Sequence, residues 1–252
     1  MVRWLFWLFG CVFSLISCVN ADTLKLTSLL WPPYSGQQLP QQGASIAVAR
    51  AAIESMDQQL AVDFYPWSRA VKLAGSAKSD YIGYLPEYYF ETDKFVFSKS
   101  IGASPLGIVE QKSHPISWQH LEDLNRYTLG VVKDYVNTDV LDLMIRTGAQ
   151  PVEAVTSDEQ NIRKVAAGRI DGAVIDINVL HYLLKQPHLQ PLAEKLQVNR
   201  QLLANKQLYV AFRNTDEGRR WRDLFDQGLA KVDIDNIMGE LLFQEESQLP
   251  PR

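Results

Sequence analysis

The chain has 252 residues, 46% of them hydrophobic and 21% charged, with a formal net charge of −4 at pH 7. This length and composition suit a globular protein with one large domain or two medium lobes. The small negative charge leaves no basic surface of the kind that nucleic-acid binders need, so we expect no nucleic-acid partner.

The first 21 residues have the anatomy of a secretory signal. An uncharged apolar stretch runs from Trp4 to Ile16, and small or polar residues follow up to Ala21. The stretch is too short to span a membrane permanently, so we expect export to the periplasm with cleavage near Ala21. The segment around Cys18 also fits a lipoprotein box, which would instead leave a lipid-anchored protein.

After this leader, short β-branched or apolar runs alternate with helical patterns. The first round predicts strands at 24–30, 61–64 and 81–85, separated by helices at 44–56 and 66–77. This β-α-β-α-β order is typical of a parallel sheet with helices on its faces.

The same order then repeats. The second round predicts strands at 127–132, 151–155 and 170–175, and helices at 138–146, 157–167 and 178–185. We therefore predict an α/β fold with two lobes, each a central, mostly parallel sheet flanked by helices.

Two extended segments, 105–111 and 208–212, flank the second round and predict that the chain crosses between the lobes twice. Residues 22–108 would begin lobe 1, 109–207 would form lobe 2, and 208–252 would return to lobe 1 with closing helices. A two-strand hinge of this kind puts a cleft between the carboxyl ends of the two sheets, where open α/β sheets bind ligands.

Aromatic residues follow each predicted strand of lobe 1. Trp31 and Tyr34 lie on a proline-stiffened loop, WPPYSG, and predict contact with a ligand in the cleft; packing of the turn is the alternative. Trp67 follows the second strand and would either contact the ligand or cap the core of lobe 1. Tyr84 and Tyr88 lie at and after the end of the third strand, where exposure to the cleft is expected.

Five stretches occur in an order that resembles a known family: WPPYSG, FYPWSRAVKLAGSAKSDYIG, FVFSKSIGASPLGIV, HLEDLNRYTLGVVKDYVNTD and SDEQNIRKVAAGRIDGAVIDINVLHYLL. They cover nearly all of the chain after the leader. The family is the periplasmic solute-binding proteins, family three, the amino-acid-binding type that serves ABC transporters. The resemblance implies lobes that close on a small polar solute, a membrane permease or sensor as partner, no cofactor and no catalysis. We expect a monomer.

The resemblance also implies site residues. Asp176 stands where the family has an aspartate that holds the ligand amine, and Asp134 and Tyr135 belong to its altered ligand-facing loop. The arginine that clamps the ligand carboxylate is replaced by Glu91, which cannot make bidentate hydrogen bonds to a carboxylate. Arg69 would supply a replacement clamp, or else pair with acids on a neighbouring helix. Acids in the cleft favour a cationic or polyhydroxyl solute over an ordinary amino acid.

No catalytic or metal motif stands out. The four histidines lack metal-ligand spacing, and neither a Gly-x-Ser-x-Gly elbow nor a phosphate-binding loop occurs. We therefore predict no catalytic residue, no metal site and no cofactor. Two alternatives stay open: an exported enzyme on the same fold, such as a dehydratase, and a degenerate interaction module that binds no ligand.

Overall fold

The computed structural model describes residues 21–243. The predicted leader up to residue 20, including the lipoprotein motif at Cys18, lies outside the described residues. Within residues 21–243, no helix combines the length and the apolar character that crossing a bilayer requires.

Lobe 1 begins with three parallel strands. Its elements up to the first crossing are β1 (Thr23–Ser28), α1 (Ala44–Glu54), β2 (Gln59–Phe64), α2 (Trp67–Ala74), β3 (Gly83–Tyr88) and β4 (Phe95–Phe97). β1 lies in the centre and pairs in parallel with β2 and β3. Its alternating Leu24 and Leu26 side chains are completely buried, as are Ile46 and Ile53 of α1, so the helix packs its apolar face on the sheet.

Lobe 2 repeats this arrangement. Its elements and those that return to lobe 1 are β5 (Gly102–Gln111), β6 (Leu129–Val132), α3 (Asp139–Thr147), β7 (Val152–Val155), α4 (Asp158–Ala166), β8 (Gly172–Asp176), α5 (Ile177–Lys185), β9 (Leu196–Val198), β10 (Ala204–Arg213), α6 (Asp216–Leu229) and α7 (Ile234–Phe243). β6 pairs in parallel with β7 and β8. Short 3-10 turns occupy Pro40–Gln42, Leu121–Arg126 and Gln190–Leu192.

β5 and β10 are the two crossing strands. They pair with each other in antiparallel fashion over 102–106 and 204–208. β5 then continues along β8, and β10 continues along β3, so one curled sheet has the order β2-β1-β3-β10-β5-β8-β6-β7. The predicted α/β fold with two lobes and a two-strand hinge is confirmed. The lobe boundaries predicted at 108 and 207 fall inside these two strands.

The closing segment holds two helices, and the first is shorter than the sequence pattern predicts. The pattern predicts a helix over 216–232, but α6 ends at Leu229 and α7 begins at Ile234. The Asp233 carboxylate accepts a 3.0 Å hydrogen bond from the Asn236 N–H, as an N-cap does, and so starts a second helix. The sequence pattern also does not predict β4 and β9, because three residues are too few to show the period of a strand.

Close packing holds the returning helix to lobe 1. A Cβ added at Gly228 of α6 would lie 2.0 Å from the backbone oxygen of Ala52 on α1. The two helices can therefore approach this closely only because position 228 has no side chain. By contrast, no atom lies within 4 Å of a Cβ built at Gly239 on α7.

Candidate ligand site between the lobes

A buried hydrogen-bond network joins the two lobes at the hinge. The Tyr34 hydroxyl, on the loop after β1, donates a 3.1 Å hydrogen bond to Asp176 Oδ2 and accepts one of 2.7 Å from Asn178 Nδ2. The Ser104 hydroxyl of β5 donates to the same carboxylate oxygen and shares a 2.6 Å hydrogen bond with the Tyr88 hydroxyl of β3. Tyr34 and Tyr88 of lobe 1, the hinge strand and Asp176 of lobe 2 are thus linked directly.

Asp176 also has a local role. It ends β8 and is the N-cap of α5, where its Oδ1 accepts a 2.9 Å hydrogen bond from the Val179 N–H. Burial raises the pKa of this carboxyl to about 6, and the hydrogen bonds from Ser104, Val179 and Tyr34 limit that rise. Both carboxylate oxygens of Asp176 therefore already have protein donors.

Next to this network lies a small cavity. Its volume is about 30 Å³, enough for a few water molecules at most and well below the size of typical ligand pockets. Its lining residues are Leu29, Trp31, Trp67, Pro86, Glu87, Tyr88, Tyr135, Val136 and Leu208. Aromatic side chains of both lobes thus line this cavity.

Glu87 is the acid of this cavity, and sequence reasoning missed it. It lies on β3, is buried, and accepts hydrogen bonds from the Tyr88 N–H at 2.8 Å and the Tyr84 hydroxyl at 3.4 Å. Burial raises its pKa to about 8, although these donors and the charge of Lys206 oppose the rise. Glu87 therefore keeps its proton at neutral pH. Glu91, the acid that the family register points to, is exposed.

An open groove of about 570 Å³ continues outward from the cavity, within the size range of small-molecule sites. Lobe 1 contributes residues 29–32, Gln37 and 64–67, and lobe 2 contributes Tyr135, 156–159, Val179 and Leu183. Trp31, Trp67 and Tyr135 line both the groove and the cavity, so these three rings form the boundary between them. Trp67 and Tyr135 meet from opposite lobes at 85°, with ring centroids 6.2 Å apart.

Two neighbouring acids, Asp158 and Glu159, line the groove and differ in their burial and in their hydrogen-bond partners. Asp158, in the first turn of α4, is only 7% exposed; burial and then the charge of Asp176 raise its pKa to about 7. Its own backbone N–H is the one group that lowers this pKa. Glu159 instead accepts hydrogen bonds from Arg163 at 2.9 and 3.0 Å, with His188 at 3.2 Å. Among the described residues that line cavity and groove, none is Lys, Arg or His.

A second contact joins the lobes at the N-terminus of α2. The Trp67 indole N–H donates a 3.1 Å hydrogen bond to the backbone oxygen of Asp134, and the Ser68 hydroxyl donates to the Asp134 carboxylate. Asp134 has a positive φ of 64°, a conformation that aspartate tolerates better than most residues. Its exposed side chain contacts lobe 1 and is absent from the lining of the groove.

The other predicted site residues lie behind or beside the groove. Tyr84 is completely buried, with its ring 5.3 Å from that of Trp67. Arg69 is exposed, and its guanidinium lies 5.1 Å from the ring centroid of Tyr65. In the described part of the chain, no ion pair joins Arg69 to the neighbouring helix, so the expected partner acids are not its contacts.

Metal binding has no support in this region. Within residues 21–243, no group of three or more His, Cys, Asp or Glu side chains has an arrangement that would hold a metal ion. Glu87, Asp158 and Asp176 therefore surround the space between the lobes without forming a ligand set.

Solved structures define the class of fold. The chain is similar to a histidine kinase sensor domain with similarity to periplasmic binding proteins, at 19% identity and a TM-score of 0.71, over 91% of this chain and 98% of that one. It is similar to an ancestral arginine-binding protein bound to arginine, at 16% identity and a TM-score of 0.69, over 88% and 97% of the two chains. It is also similar to an amino acid ABC transporter substrate-binding protein from Streptococcus pneumoniae bound to L-arginine, at 16% identity and a TM-score of 0.69, over 89% and 94%.

No protein-family model matches the sequence, and no curated protein matches it. The likeness to solved structures therefore defines the fold: the chain has the two-lobed fold of periplasmic binding proteins. The predicted resemblance is thereby confirmed for the fold.

Proposed function

We propose that the chain is a periplasmic solute-binding protein, without enzymatic activity, whose lobes close over a small polar ligand in the groove. The observation that carries this proposal is the groove itself, which takes its lining from both lobes and adjoins a cavity lined in part by Leu208 of the crossing strand β10. A ligand that contacts both lobes does so only when they are together. Binding would therefore shift the population towards the closed state by the free energy of those added contacts.

The ligand belongs to the amino-acid-like, cationic or polyhydroxyl solutes. The arginine-bound neighbours suggest a small molecule of amino-acid size. The lining of this groove, however, has acids and no cation in its described part. A cationic or polyhydroxyl solute suits that lining better than one whose carboxylate needs a partner.

The partner is a membrane protein, either the permease of an ABC transporter or a sensor. The similar structures include an ABC transporter substrate-binding protein and a histidine kinase sensor domain, so they support the two roles about equally. We further propose export by a signal that ends near Ala21, or lipid anchoring through Cys18, and a monomer with lobe boundaries near residues 108 and 207.

The test is a ligand screen on the whole protein. Thermal shift and calorimetry with amino acids, amines, sugars and organic acids should give a saturable rise of several degrees in Tm for one class. Mass spectrometry should recover that ligand unchanged. Turnover of the ligand would instead identify an enzyme on this fold.

A ligand-free interaction module is the second candidate, and two observations favour it. The cavity next to the groove has a volume of only about 30 Å³. In addition, the Tyr34 hydroxyl of lobe 1 already donates a hydrogen bond to Asp176 of lobe 2, so the lobes are held together without a ligand. If no compound class changes the Tm and native mass spectrometry finds no co-purified molecule, this second candidate replaces the first.

A further inference from the structure

We propose that the groove is a site for an organic cation without a carboxylate, such as a primary amine or a quaternary ammonium compound, held between Trp31, Trp67 and Tyr135 with Asp158 as its counter-ion. We call these four residues the cation site. The proposal rests on the proposed function, because it names the ligand class of the same groove.

The three rings provide the first part of the argument for a cation. Trp67 and Tyr135 stand nearly perpendicular to each other across the lobes, and Trp31 lies at the same boundary between cavity and groove. Aromatic rings that line a groove attract a cation that comes within about 6 Å of a ring centroid. In the described residues these three rings carry no internal cation, whereas neighbouring Tyr65 and Tyr88 already have Arg69 and Lys206 at 5.1 Å.

Asp158 provides the counter-charge. It is more than nine-tenths buried and lies on the wall of the groove, and no ion pair within the described residues involves it. A buried carboxylate without a partner is costly, and a ligand cation at hydrogen-bond distance would remove that cost. Glu159, the next residue, already has Arg163 and His188 as partners, so the protein itself compensates its charge.

Asp176 is not the counter-ion in this arrangement. Its two oxygens accept hydrogen bonds from Tyr34, Ser104 and Val179, and it holds the lobes together and caps α5. The residue at the position where related proteins hold the ligand amine therefore has a structural function here. The counter-ion in this arrangement is instead Asp158, at the start of α4.

The absence of a carboxylate from the ligand follows from the charges. The lining residues of the described groove supply no Lys, Arg or His to pair with a carboxylate, and a charged Asp158 would repel an anionic group. Arg69 lies on Tyr65 and outside the lining. Decarboxylation of an amino acid gives an amine with the same side chain. We therefore expect the amine to bind more tightly than its parent amino acid.

Matched ligand pairs test this on the wild-type protein. Calorimetry would compare agmatine with arginine, cadaverine with lysine, and choline with its uncharged isostere 3,3-dimethylbutan-1-ol. We expect at least one cation to bind, and at least tenfold more tightly than its partner. Equal or tighter binding of the amino acids, or of the uncharged isostere, would overturn the cation site but leave a solute-binding function intact.

Two variants test the counter-ion. Asp158→Asn keeps the shape and removes the charge, and it should weaken binding of the preferred cation at least tenfold. Glu153→Gln removes the same charge from a carboxylate that is paired with Lys164 and lies outside the lining of the groove, and should change affinity less than twofold. Equal losses in both variants would mean that only the overall negative field matters, and no loss in Asp158→Asn would remove Asp158 from the site.

The outcomes separate the two proposals. If only sugars or organic acids bind, the cation site is wrong and the solute-binding function stands. If no compound binds and nothing co-purifies, both the cation site and the solute-binding function are wrong. The comparison of agmatine with arginine needs no variant, so it remains decisive even if Asp158→Asn fails to fold.

Discussion

Two aspartates near the groove have the same side chain but opposite surroundings. Asp176 is 2% exposed and accepts hydrogen bonds from three protein donors. Asp158 is almost as deeply buried and has only its own backbone N–H. The pKa rises further for Asp158, to about 7, than for Asp176, to about 6, because donors stabilise a charged carboxylate and burial alone does not.

This difference predicts a pH-dependent gain of stability in Asp158→Asn. The unfolded chain loses this proton near pH ~4, but the folded protein keeps it up to about pH 7, so the wild type loses stability as the pH rises through this window. The variant has no such loss. We expect its Tm at pH 8 to be higher than that of the wild type by about 3 °C or more, with the difference vanishing towards pH 4.

Glu159→Gln is the control with the opposite sign. Pairing with Arg163, and then with His188, lowers the pKa of Glu159. Its charge therefore stabilises the folded protein above the unfolded pKa, and that contribution disappears as the pH falls. Scanning calorimetry at several pH values should show a slightly lower Tm for Glu159→Gln at pH 8. A lower Tm for Asp158→Asn at the same pH would contradict the buried, unpaired state of Asp158.

The sequence predicts some residues of this region and misses others for a physical reason. Trp31 and Trp67 follow strands that patterns of apolar residues locate, so their position at the carboxyl edge of the sheet can be inferred. Asp158 looks like an ordinary acid in the first turn of a helix, where most such acids are solvated. Glu87 lies beyond the predicted end of its strand. Burial of these two acids depends on the assembled fold, which no local pattern describes.

At the scale of elements, one helix contact depends on a missing side chain. Gly228→Ala would place a methyl group 2.0 Å from the Ala52 backbone oxygen and force α6 away from α1. We expect a loss of about 1–3 kcal/mol in the free energy of unfolding, as for overpacked cores. The groove takes no lining residue from either helix, so ligand affinity should stay the same.

Gly239→Ala is the matched control for this substitution. Its Cβ would meet no atom within 4 Å, and alanine favours a helix over glycine. Urea unfolding should therefore show a gain of about 0.5–1 kcal/mol. A similar loss in both variants would show that the contact at Gly228 is not the cause.

Elements are predictable in proportion to their length and periodicity. The two rounds of β-α-β-α-β follow from apolar runs and helical spacing, and the structure has each of these elements within a few residues of its predicted bounds. β4 and β9 exist because β10 and β5 offer them an edge to pair with. Such short strands are products of the assembled sheet, and three residues of sequence do not encode them.

At the scale of the whole molecule, the proposed balance between open and closed lobes would depend on polar contacts between them, such as those of Tyr34. Tyr34→Phe would remove the hydroxyl that donates to Asp176 and accepts from Asn178 across the lobes. Because these groups find water when the lobes separate, we expect the closed state to lose about 1–3 kcal/mol relative to the open state. Small-angle scattering should then show a larger radius of gyration.

Tyr84→Phe is the control for this prediction. Its hydroxyl contacts Glu87 within lobe 1, so its loss would change local stability without changing the separation of the lobes. An unchanged radius of gyration in Tyr34→Phe, or an equal increase in Tyr84→Phe, would mean that the Tyr34 hydrogen bonds do not hold the lobes together.

The positions of the tryptophans have an optical consequence. Trp31 and Trp67 line the groove, and the Trp67 indole N–H is bonded to the opposite lobe. Trp118 is bonded to Asn199 within lobe 2, and Trp221 is buried on α6. Indole emission moves to longer wavelength as water reaches the ring, so separation of the lobes should shift the fluorescence of Trp31 and Trp67, while Trp118 and Trp221 keep their surroundings. The protein thus carries its own unlabelled probe of opening, readable in a stopped-flow cuvette.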